Sequence, residues 1–177
     1  MILHREQALA DFEKPLEMLE ACHHRIAMQC ETLRNLVAHL PEHGCDAQAQ
    51  QAASNVMRYF DGAGRHHRED EEQELFPRLI ASAKGQNTER LALLIDQLKR
   101  EHEAIEHTWL ALRDALEEIA HGENAPLDEK EVGRFCGAYR AHIAVEEANL
   151  FPLAGMLLQA DDFAAIGKSM AARRGIK

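Results

Sequence analysis

Four long stretches of this chain carry apolar residues at alternating steps of three and four, and each stripe is interrupted by a histidine. That alternation marks a helix face packed against partner helices. In the first stretch, about 15–40, the stripe is Leu16, Leu19, His23, Ile26, Cys30, Leu33, Val37 and Leu40. Pro15 suits its opening position, and Pro41 is expected to stop it. In the second, about 47–80, Val56, Phe60 and Ala63 lead to His67. Asp61-Gly62-Ala63-Gly64 predicts an irregular middle, because a glycine costs roughly 1 kcal/mol in a helix interior. Pro77 predicts a kink or stop near the end. In the third, about 88–120, His102 fills the step between Leu98 and Ile105 in a stripe running from Leu91 to Ile119. In the fourth, about 127–158, the stripe is Val132, Phe135, Tyr139, His142, Glu146 and Leu153.

Four amphipathic segments with short connections fold most simply as an up-down-up-down four-helix bundle. The expected class is therefore all-α, with a short C-terminal helix at about 161–172. The 177 residues are expected to form one domain, with a bundle core at about 15–158. With neighbours antiparallel and a rise of about 1.5 Å per residue, the four seam histidines converge within roughly two turns.

The second and fourth segments share a pattern. His67 to Pro77 and His142 to Pro152 both read H-x3-E-E-x2-L-F-P, which sets His67/Glu71 beside His142/Glu146. Residues four apart stand one above the other on one helix face. Each of these helices thus offers an imidazole and a carboxylate to the same interior. Burying four imidazoles and two carboxylates is costly unless a cation holds them. His23, His67, Glu71, His102, His142 and Glu146 are accordingly the candidate metal ligands. Their mixed nitrogen and oxygen donors favour iron, manganese or zinc over calcium or magnesium, and two carboxylates leave room for bridging between two metals.

The rest of the composition mainly excludes. Lys+Arg 20 against Asp+Glu 30 gives a formal charge of −10, which argues against a nucleic-acid partner and suits a cation. No apolar run is long enough for a membrane span, and Met1 to Gln7 turns polar at once. Cys22, Cys30, Cys45 and Cys136 form no C-x-x-C pair, so a reducing cytoplasm is the expected setting. Cys22 and Cys30 are expected to be small core residues.

The seam residues and the doubled motif resemble the hemerythrin-like, or HHE cation-binding, family over about residues 15–158. The resemblance implies a four-helix bundle with a non-haem iron centre, usually of two irons. By position it makes His23, His67, His102 and His142 terminal ligands and Glu71 and Glu146 bridges. Partners would then be metal ions and small diatomic ligands or peroxide, in a monomer or a homo-oligomer. Oxygen-carrying hemerythrins place a second histidine four residues beyond the helix-three ligand. Here that position is Glu106, which counts against reversible O2 carriage. His66 is expected on the flank, and Glu106 either as a ligand or as a partner to one. Glu72 and Glu147 are expected to support ligands or face solvent, and the run Glu69–Glu74, apart from Glu71, is expected to be mostly a solvated helix face. His24, His4, His39, His43 and His121 are expected at the surface.

Three functions fit: a metalloprotein that binds or senses O2, NO, peroxide or iron; a redox-silent helical module holding zinc or a single metal ion; and an oxidase or peroxidase with a di-iron site. The first is favoured over an enzyme, since no nucleophile triad, phosphate loop or dinucleotide motif is present.

Overall fold

Pro15 opens helix α1 (Pro15–His43) in a computed structural model that describes residues 12–85 and 87–176. Proline fits a first turn because the N–H it lacks would have no intrahelical partner there. Pro41 does not end the helix as expected. It sits in the last turn, and the stop is Gly44, whose φ of 68° lets its N–H reach back to the Leu40 carbonyl. Asp46 then caps the next helix, accepting a hydrogen bond from the Ala49 N–H at 2.8 Å. That helix, α2, runs continuously over 47–82. Helix α3 is Asn87–Ala120, and α4 covers 129–157 from its Asp128 cap. Helix α5, Ala160–Arg173, opens on a capping box between Gln159 and Asp162. No strand occurs among the described residues, and the fold is all-α.

Two apolar clusters fix the direction of every helix. One gathers Leu33 and Leu36 from the end of α1, Ala49 and Ala53 from the start of α2, Leu116 and Ile119 from the end of α3, and Val132 and Phe135 from the start of α4. The other gathers Leu19 from the start of α1, Leu75 and Leu79 from the end of α2, Leu91 and Ile95 from the start of α3, and Leu150 and Ala154 from the end of α4. Starts meet ends throughout, which is the up-down-up-down bundle. Helix α5 covers the second cluster with Ile166 and Met170. Its Gly167 is packed so closely that an added Cβ would lie 1.8 Å from the Phe12 carbonyl oxygen.

Neither proline of the repeat breaks its helix. Instead Glu71–Leu75 and Glu146–Leu150 are wide π turns, in which the Phe76 N–H reaches the Glu71 carbonyl and the Phe151 N–H the Glu146 carbonyl. A proline ring clashes with the carbonyl four residues back, and a five-residue bond loops past the obstruction. The extra residue shifts the stripe by one, so Ala154 is buried where Leu153 was expected and Leu153 is only half covered. A third π turn, Tyr59–Gly64, lies in the glycine-bearing stretch and buries Gly64 in place of Ala63.

Candidate metal centre

A polar layer separates the two apolar clusters. His23 lies between Leu19 and Ile26 on α1, and His102 between Leu98 and Ile105 on α3; α2 brings His67 and Glu71, and α4 brings His142 and Glu146. All six are buried, with both carboxylates fully removed from solvent. The structure brings all six sequence candidates together. His23, His67, Glu71 and Glu146 offer ligand atoms within 4.8 Å of one another, and so do Glu71, His102, His142 and Glu146. The two groups share both carboxylates.

The contacts are paired across helices. Glu71 sets Oε1 3.3 Å from His67 Nε2 and Oε2 3.3 Å from His102 Nε2. Glu146 sets Oε1 3.2 Å from His142 Nε2 and Oε2 3.1 Å from His23 Nε2. None of these contacts is aligned as a hydrogen bond. Both carboxylates and the Nε2 atoms of His23, His67 and His142 are buried without a hydrogen-bond partner. Orphaned buried polar atoms are rare in folded proteins, and so many in one place fit a cation in their midst.

Three imidazoles are oriented from behind. His23 Nδ1 donates to Glu147 Oε1, His102 Nδ1 to Glu72 Oε1 and His142 Nδ1 to Glu101 Oε2, each at 2.8 Å. An ionised carboxylate only accepts, so the proton sits on Nδ1 and the Nε2 lone pair faces inward. This is the arrangement found behind metal-bound histidines. The repeat is thereby accounted for letter by letter. The first glutamate enters the centre, and the second orients a histidine on the neighbouring helix. The phenylalanine stacks on that same ring: Phe76 on His102 at 6.2 Å and Phe151 on His23 at 5.4 Å between centroids.

Charge states follow from the geometry. Burial, aided by the neighbouring cationic forms of the other rings, lowers His67 to about 3 despite the Glu146 carboxylate. Burial and the nearby Glu146 carboxylate push Glu71 well above the usual range. Burial opposes ionisation of Glu146, but His142 and His23 outweigh it and hold the carboxylate below its ordinary value. Burial also opposes charge on His23 and His142, yet Glu146 raises both. Without a cation, protons fill part of the layer.

Several flanking expectations change. Glu106 is exposed and bonded to Arg68, which also holds Glu72 at 2.8 Å, so Glu106 stands outside the ligand groups. His66 is half-buried and outside them as well. The Glu69–Glu74 run is not a solvated face: Asp70 is fully buried between Arg173 and Arg174 of the α5 end, and Glu74 pairs with Arg78. Helix α5 is there to meet it. His39 lies within α1, half-buried, 3.1 Å from Asp46. His24 and His121 are exposed and Cys22 and Cys30 buried, as expected, while His4 lies outside the described residues. Glu101 was not anticipated; its only signal is its place directly before His102.

A cavity of 320 Å³ reaches His67 and His102 from the side, between Phe60, Ile105, Trp109 and Tyr139. No helix among the described residues is long and apolar enough to cross a membrane. The family model of the hemerythrin HHE cation binding domain matches residues 14–154. An uncharacterized protein of Haemophilus influenzae is 34% identical over 171 residues, covering 97% of this chain and 96% of its own.

Proposed function

Because this chain belongs to the hemerythrin HHE cation-binding family, we propose that its polar layer holds two iron ions, with Glu71 and Glu146 each reaching both. The observation that carries this reading is the sharing: two groups of four donors with the same two carboxylates in common. His23 and His67 complete one position, and His102 and His142 the other. Two imidazoles and two carboxylate oxygens at each position suit iron, whose preferred coordination number exceeds four. Such a centre supplies electron exchange and a place for O2, NO or peroxide to bind.

The chain's own residues set the conditions. Glu147, Glu72 and Glu101 hold three rings in one tautomer and fix their orientation. The two apolar clusters above and below exclude bulk water. The side cavity, walled by Phe60, Ile105 and Trp109, admits small molecules to the His67 and His102 edge. The protein is thus a binder or sensor of a small redox-active ligand.

The test is anaerobic loading of purified metal-free protein with ferrous iron, followed by metal analysis and optical spectra before and after O2, peroxide or NO. Two irons per chain and spectra that respond to an added ligand are expected. Exclusive uptake of zinc, with spectra indifferent to all three, would replace this reading with a structural module.

A further inference from the structure

The second glutamate of each repeat half serves one ring in a matched way: Glu72 on α2 holds His102 on α3, and Glu147 on α4 holds His23 on α1. The remaining two rings are not matched. His142 on α4 has Glu101, the residue directly before His102. The equivalent place on α1, directly before His23, is Cys22. Cys22 is buried, and its sulfur is approached by the Arg25 guanidinium at 3.8 Å. His67 Nδ1 is buried with no hydrogen-bond partner. A thiol is at best a weak acceptor and cannot replace an ionised carboxylate.

We propose that the two metal positions are unequal, the His102/His142 group filling first and emptying last, because Cys22 stands where a counterpart of Glu101 would have held His67. The inference rests on the two-metal reading. A carboxylate behind a metal-bound imidazole raises its donor strength, fixes its tautomer and limits its rotation. At the His102/His142 position both rings have that support; at the His23/His67 position only His23 does. Glu101 is therefore a positioning residue for the tighter position.

Metal-free full-length protein is titrated anaerobically with ferrous iron, and separately with zinc, against a chelator of known affinity. Two steps separated roughly 10–100-fold in affinity are expected, the usual cost of losing such a partner. Glu101→Ala should weaken the tight step by that factor and bring the two together, whereas Glu101→Gln, which keeps an accepting oxygen, should restore part of the gap. His67→Ala should remove the weak step and leave the tight one. Cys22→Glu should tighten the weak step; if that variant fails to fold, Cys22→Ser, with steps like the wild type, bears on the same point by showing that the thiol itself supports neither. Two equal steps, or equal weakening of both by Glu101→Ala, would overturn the inequality and leave the two-metal centre standing. Uptake of one equivalent, or none, would instead remove the two-metal reading.

Discussion

Glu72 Oε1 lies 2.8 Å from His102 Nδ1 and the same oxygen 2.8 Å from Arg68 Nε, so one carboxylate ties a ring of α3 to the helix that carries Glu71. His102 and Arg68 outweigh its partial burial and hold it down at about 2, ionised over the whole neutral range. Glu72→Ala is expected to weaken metal uptake roughly 10–100-fold while leaving the helix content intact. Chelator competition measures the first and circular dichroism the second. An unchanged affinity would mean that the oriented ring contributes nothing to binding.

Glu71→Gln separates the metal's contribution from that of the fold. The buried Glu71 carboxyl is unfavourable as an anion when no cation is present, as its raised pKa records. The neutral amide should therefore raise the melting temperature of metal-free protein by about 2–4 °C, near 1 kcal/mol at this chain length. The same variant should gain far less from added metal than the wild type. Paired melting curves with and without ferrous iron decide it; a variant stabilised by metal as strongly as the wild type would clear Glu71 of any role.

Uptake should also depend on pH in a defined direction. His23 and His142 are raised above 6.5 and Glu71 well above 4.5, so the metal-free layer holds protons that a cation must displace. A group with a raised folded pKa stabilises fully below its unfolded value and loses that contribution as pH rises through the folded one. Metal-free protein should thus lose stability as pH rises above 4.5 through Glu71 and above 6.5 through His23 and His142, while metal-loaded protein keeps it. Calorimetry in buffers of different ionisation heat should detect net proton release on binding near neutral pH. Proton uptake would contradict the assignment.

Arg173 and Arg174 can be tested together. Both engage Asp70, which is fully buried beside Glu71. Replacing both arginines by alanine strands a buried carboxylate, and a loss of about 3–5 kcal/mol is expected in denaturant unfolding. Removing Asp70 as well, as Asp70→Asn, should recover much of it. A cost that the third change leaves untouched would place the effect in the packing of α5.

Much of this is legible in the sequence. The stripe of α3 is buried at every position from Leu91 to Ile119 that the period of three and four picks out, because nothing in that helix disturbs the winding. In α2 and α4 the same arithmetic slips after Glu71 and Glu146. Pro77 and Pro152 force wide turns there, and one extra residue moves the buried face from Leu153 to Ala154. The six candidate ligands lie together, four of them carried by the doubled motif and His23 and His102 by the stripes of α1 and α3. Glu101 and Asp70 were not legible, since their partners, His142 and Arg173 with Arg174, lie on other helices and share no periodic signal with them. Glu106 departs from its expected place for a related reason: a helix face tells where a side chain starts, and Arg68 decides where it ends.

The layer between the two apolar clusters gives the bundle a waist. Above and below it, leucines and phenylalanines grip one another whatever the chemical conditions. At the waist, adhesion is borrowed from an occupant that can leave. Departure of that occupant would loosen the molecule first at mid-height, with both ends still knitted.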